Sequence, residues 1–185
     1  MSAFEFVFSL FGLLLGLGLA AGLGGLARAL NARHRVRIGW STSLLALLLS
    51  CDLVTFWAYA WSVRELVPAT FPALFYGFIV TAIYFISASL VFPDDADEWK
   101  DLEAHFVRQR RTVLGGIFVA NALLIGATIG MVGWGPGWLT FRSFAITWSF
   151  FPLTATAIAA NDRRIVLAAI VLLIALYPLS AVWTG

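Results

Sequence analysis

The chain has 185 residues, of which 61% are hydrophobic and only 12% charged, and its mean hydropathy is +0.91. A soluble domain carries roughly 25% charged residues, so half that share with several long apolar runs points to an integral membrane protein with no room for a separate soluble domain. The net charge of +2 and the pI near 9.0 do not imply a nucleic-acid partner, because the basic residues flank the apolar runs as topology signals.

The expected fold is an all-α membrane protein. It is a bundle of six transmembrane helices in a single domain, with the bilayer as its first partner. The spans are expected over about 4–29, 39–61, 67–92, 113–133, 138–160 and 164–184. Each approaches or exceeds the ~20 residues a hydrocarbon core requires, and an open strand would leave backbone groups unsatisfied in lipid. The run from Phe4 is longer than a signal-peptide core and lacks a basic leader, so it should stay as the first span.

Span 1 carries six glycines, and Gly12, Gly16, Ala20 and Gly24 recur every four residues. Such a stripe lets helix backbones approach closely, which predicts a central place in the bundle or the seam of a homo-oligomer. Span 2 holds Asp52, the only acid deep in any apolar run, with Thr55 and Tyr59 at i+3 and i+7 on the same face. At 1.5 Å per residue Asp52 lies roughly 14 Å from the outer end of its span, near the midplane. An ionisable group there must be paired, hydrogen-bonded or wetted.

Span 3 aligns Gly77, Thr81, Tyr84 and Ala88, with Pro68 suited to its first turn and Pro93 ending it. The segment that follows, 94–111, has acids at its start and arginines at its end, as the helix dipole favours. Trp99, Leu102 and Phe106 make a stripe that suits a short amphipathic helix on the inner membrane surface. Asp97, Asp101 and His105 have ligand spacing, but a solvated acidic face is the better reading and no metal is expected.

Span 4 places Asn121 and Thr128 on one face, and WGPG at 134–137 makes a tight turn. Span 5 repeats Thr140, Thr147, Thr154 and Asn161 every seven residues, with Ser143 on the same side. Arg142 sits near the outer boundary, close enough to snorkel. Pro152 cannot donate to the carbonyl of Trp148 and should kink the helix. Span 6 is aliphatic up to Tyr177, Pro178, Ser180 and Thr184. The echo between GWST at 39–42 and GWLT at 137–140, each opening the middle span of its half, hints at an inverted repeat.

Ten of the twelve basic residues fall in the alternate loops after spans 1, 3 and 5, and only Arg64 and Arg142 fall on the other side. The positive-inside rule therefore puts both termini outside the cytoplasm. Trp61, Trp134, Trp138 and Trp183 at the outer boundary, and Trp40 at the inner one, agree as interfacial anchors.

Many chemistries lack their parts. His34 and His105 lie in loops and so cannot ligate a membrane haem. Lys100, the only lysine, is also in a loop, and Cys51 has no partner cysteine. No cofactor is expected, and the balance is against an enzyme. What remains is a polar layer: Asp52, Thr55, Tyr59, Thr147 and Tyr177, with Arg142 or Glu5 approaching from the outer edge. With Asp52 as its charge, this layer would bind a cation or polar solute or exchange a proton, as in a small transporter or channel. The alternative is a non-transporting scaffold or partner subunit, packing through the glycine stripe and the 94–111 helix. In a purely structural role, Asp52 would only bond hydroxyls or pair with Arg142.

Two stretches, FEFVFSLFGLLLGLGLAAGLGGLARAL at the start and FPDDADEWKDLEAHFVRQRR after span 3, together resemble a group of small bacterial six-span inner-membrane proteins with no established activity. The resemblance implies a bacterial inner-membrane location and carries over no functional residue.

Overall fold

The computed structural model describes residues 3–31, 40–68, 70–94, 99 and 101–183, with side chains from residue 8 onward. Arg33, Arg35, Arg37, His34, Asp97, Lys100 and Thr184, and the side chain of Glu5, lie outside the described residues.

The described residues are almost wholly helical. The elements are α1 (Ala3–Asn31), α2 (Trp40–Ser62), α3 (Phe71–Ser89), α4 (Leu102–Val132), α5 over 141–159, and α6 (Arg163–Val182). Five of them, α1, α2, α3, α4 and α6, are long and apolar enough to cross a membrane, as expected of a multi-pass membrane protein. The remaining stretch, α5, is helical throughout but built from three pieces: Phe141–Ser143, a π turn at Phe144–Trp148, and Ser149–Ala159.

The helices alternate in direction. Thr42 at the start of α2 donates to the carbonyl of Leu102 at the start of α4 (3.0 Å), and Arg163 at the start of α6 pairs with Glu103 (3.0 Å). The ends of the other three helices meet these starts. Arg28 lies over the Trp99 ring (5.7 Å), His105 Nε2 donates to Leu90 O (3.1 Å), and Arg110 donates to Ala157 O (3.0 Å) and Ala160 O (2.6 Å). Arg110 thus fills carbonyls that the C-terminus of α5 would otherwise leave orphaned.

The centre of the bundle is α2, which packs on α1, α3, α4 and α6. Its buried face carries Leu45, Leu48, Leu49, Asp52, Leu53 and Phe56. Of the two places expected for span 1, the centre of the bundle is taken by α2, since among the described residues α1 packs mainly on α2 and α3. The four-residue stripe does not face inward. Its buried positions are Leu15, Gly18, Gly22, Gly25 and Ala29, following the 3.6-residue period, whereas Gly12 and Gly16 meet open space. Gly18 lies against Leu53 and Ala88, and Gly25 against the Phe92 ring.

Other boundaries differ from expectation for local reasons. Residues 63–67 continue α2 as a turn, so α3 begins at Phe71 with Pro72, not Pro68, in its first turn. The 94–111 segment is not a separate surface helix. From Leu102 it is the first part of α4, capped by Asp101, whose side chain accepts from Ala104 N (3.0 Å). Leu102 and Phe106 are buried in the core, and Trp99 stacks on Phe92 (5.8 Å). That stripe is apolar because the bundle covers it. At the other end α4 stops at Gly133, whose φ of 84° suits only glycine without strain.

The two echoing tetrapeptides differ in conformation. Trp40–Thr42 open α2, whereas Trp138 and Leu139 lie in a 3₁₀ turn, Pro136–Leu139.

Candidate functional site

Asp52 is 3% exposed, and its carboxylate accepts hydrogen bonds from three other helices. Tyr84 of α3 and Asn121 of α4 donate to Oδ2, each at 2.9 Å, and Tyr177 of α6 donates to Oδ1 at 2.9 Å. Asn121 Nδ2 also reaches the Ile117 carbonyl (3.0 Å) and the Tyr84 hydroxyl (3.2 Å). Phe56 packs edge-on against the Tyr84 ring (5.3 Å), which fixes that hydroxyl's direction. The three donors are all neutral, which suits an ionised, acceptor-only carboxylate. Among the described residues no cation approaches Asp52.

Beside the carboxylate lies a cavity of about 190 Å³. By liquid volume this is room for roughly six waters, at ~30 Å³ each. Its wall includes Asp52, Thr55, Tyr59, Asn121, Thr147, Tyr177 and Ser180, and the rest is apolar, with Phe56, Trp138 and Phe150 among it. Five of the six side chains singled out from sequence therefore border one space. Successive positions along α2 (Asp52, Thr55, Tyr59) and α6 (Tyr177, Ser180) run from the carboxylate toward Trp138, at the end of the bundle opposite Arg28, Arg110 and Arg163.

Arg142, the sixth, is exposed and turned elsewhere. Its guanidinium donates to the carbonyls of Trp183 (3.0 Å) and Ser180 (3.5 Å), tying α5 to the end of α6. Ser143 also stays out of the wall, with its hydroxyl on Gly137 O (2.7 Å). Thr154 is buried against its own helix, donating to Phe150 O (2.8 Å), and Asn161 accepts from Arg111 (3.1 Å). The seven-residue polar seam of α5 is thus split among four different environments.

The π turn explains why Thr147 reaches the cavity. Pro152 has no N–H for the Trp148 carbonyl, and the turn before it widens, so that Ser149 N donates five residues back to Phe144 O. The extra residue rotates the face of the helix, and both Ile146 and Thr147 of that turn line the cavity. π bulges recur at functional sites for this geometric reason. Trp138 is held in place by Trp148, whose Nε1 donates to the Trp138 carbonyl (2.9 Å), and by stacking on Trp134 (6.3 Å).

A second, apolar cavity of about 470 Å³ lies between α1, α2, α3 and α4. Phe56, Tyr59 and Leu124 line both spaces, and Tyr59 is fixed between them by its hydrogen bond to Thr128 (2.6 Å).

Sequence alone does not mark Tyr84 and Asn121 as partners of Asp52, although each is a polar residue within an apolar run. A lone buried carboxylate must find donors on its neighbours, and these are the donors that α3 and α4 carry at its level. Asp101 and His105, two of the three residues with metal-ligand spacing, are occupied as a helix cap and as a donor to Leu90 O. The described residues contain no group of three metal-ligating side chains.

Compared with family models, curated proteins and solved structures, the chain finds no match in any of the three.

Proposed function

We propose that this chain is a six-span transporter-like or channel-like protein of a bacterial inner membrane, and that the Asp52 cavity is its solute site. In this reading α5 is the sixth crossing. The arginine-bearing end of the bundle faces the cytoplasm, both termini face outward, and the cavity lies toward the outside. The distribution of Lys and Arg supports the orientation. The bacterial location rests on the resemblance of the first span and the loop after span 3.

One observation carries the functional reading. Asp52 is held by three neutral donors, meets no cation among the described residues, and borders a cavity. A carboxylate that only locked the bundle would bond hydroxyls as Asp52 bonds those of Tyr84 and Tyr177, but it would need no cavity beside it. This one keeps its charge available to a space large enough for a small positively charged solute. The test is cation flux in proteoliposomes. Asp52→Asn is expected to abolish it while the bundle remains helical by circular dichroism, and undiminished flux in a folded variant would overturn the reading.

A second reading, a scaffold that pairs through α1, is favoured by the outward-facing small residues Gly12 and Gly16. Its test is whether detergent-solubilised protein is a dimer, and whether Gly16→Leu makes it a monomer.

A further inference from the structure

We infer that the solute of the Asp52 cavity is a protonated amine with a short apolar body, in preference to a metal ion or a quaternary ammonium. The inference rests on the reading of the cavity as a solute site.

The first ground is the balance of donors and acceptors in the wall. The donors nearest the carboxylate are spent. The Tyr84, Asn121 and Tyr177 donors are on Asp52, and the Tyr59 hydroxyl is on Thr128. Acceptors are left over. An ionised carboxylate offers about four lone-pair sites, and three bonds occupy three of them here. Among the described residues, Asn121 Oδ1, which can only accept, and the hydroxyls of Thr147 and Ser180, which can accept or donate, have no hydrogen-bond partner, and all three border the cavity. A ligand that fits this wall brings charge and its own N–H donors. A quaternary ammonium brings charge alone.

The second ground is the remainder of the surface. Phe56, Trp138 and Phe150 stand in the same wall. Aromatic faces attract an organic cation that lies over them. They offer nothing to replace the water of a metal ion, and a cation such as calcium takes 6–8 oxygen ligands. The cavity of about 190 Å³ has room for an amine whose body is a few carbons long.

The experiment titrates the full chain in lipid nanodiscs with n-butylammonium, tetramethylammonium, 1-butanol and potassium, read by tryptophan fluorescence and confirmed by calorimetry. The expected result is saturable butylammonium binding at least tenfold tighter than that of the other three. It should weaken at least tenfold in Asp52→Asn. The preference over tetramethylammonium should shrink in the double variant Thr147→Val, Ser180→Ala. The comparison of probes uses the unmodified chain, so it stands even where a variant fails to fold. Tetramethylammonium or potassium binding as tightly as butylammonium, in an Asp52-dependent way, would overturn the amine assignment and leave the cation site standing. Absence of Asp52-dependent binding by any probe would overturn both.

Discussion

The Asp52 carboxylate and the Tyr177 hydroxyl, 125 positions apart in the chain, meet at 2.9 Å and form one wall of the cavity. Tyr177 immediately precedes Pro178, which denies the Ile174 carbonyl its helical donor and loosens α6 at that turn. The same pairing of a cavity residue with a nearby proline occurs in α5, where Thr147 precedes Pro152. In α5 and α6 the polar residues of the wall thus lie near an interruption of the helix ladder, whereas Asp52 and Asn121 reach it from uninterrupted helices.

The three donors on Asp52 should not be equivalent. Tyr84 is fully buried and does not line the cavity, whereas Tyr177 does. Tyr84→Phe is expected to lower stability by about 1–3 kcal/mol, the usual value of a hydrogen bond to a charged group, with little change in solute affinity. Tyr177→Phe should lower both. Thermal unfolding in detergent, set beside ligand titration, separates the two.

Removing the carboxylate outright should be worse than neutralising it. Asp52→Ala removes the acceptor shared by three neutral donors and is expected to lower stability by about 1–3 kcal/mol for each donor left unpaired. Asp52→Asn keeps the shape and one acceptor, so its unfolding midpoint should lie between those of the wild type and Asp52→Ala. Equal midpoints for the two variants would mean that the donors find other partners.

Pro152→Ala returns an N–H to the Trp148 carbonyl and should convert the π turn to a regular α turn. Removing one residue from the turn rotates what precedes it by about 100°. Thr147 would leave the cavity wall, and solute affinity should fall severalfold while stability is unchanged or rises. Affinity that survives would show that Thr147 is not needed.

Arg110 is 6% exposed and caps α5 through two carbonyls. Arg110→Ala should destabilise the bundle by about 2–4 kcal/mol, because each guanidinium bond is charge-assisted and the buried Ala157 carbonyl and half-buried Ala160 carbonyl lose their donor. Arg110→Lys should recover only part of this, since an ammonium cannot span both carbonyls in one plane. The readout is the unfolding midpoint.

The glycines of α1 should divide by face. A side chain at Gly25 would run into the Phe92 ring, so Gly25→Ala should cost about 1–3 kcal/mol through overpacking. Gly16 meets open space, so Gly16→Ala should be neutral or raise stability by up to about 1 kcal/mol through helix propensity. A marked loss at Gly16, with a change in oligomer size, would instead show that a second copy packs there.

Length of apolar runs, proline and glycine punctuation, and the isolation of one carboxylate were legible without coordinates, because each follows from the cost of exposing backbone or charge to lipid. Hence most of the expected apolar runs coincide with helices, although among the described residues only five of these are long and apolar enough to cross a membrane and α4 begins at Leu102, well before the expected 113. Facing is harder to read. Nearly every side chain in a lipid-embedded helix is apolar, so the contrast that marks the inner face of a soluble helix is missing. That is why the glycine stripe at Gly12, Gly16 and Gly24 drew notice, while the packed face at Gly18, Gly22 and Gly25 did not.

Composition and pattern by themselves determined that this is a helical membrane protein with one deep anion. Which donors meet that anion, and whether a space remains beside it, was decided only by tertiary structure. Tyr84, Asn121 and Tyr177 converge on Asp52 through the crossing of four helices, and Thr147 enters the wall through a π turn that shifts its phase. Helix rotation and crossing depend on the sum of many weak van der Waals contacts spread over the whole bundle, and no local stretch of sequence carries that sum.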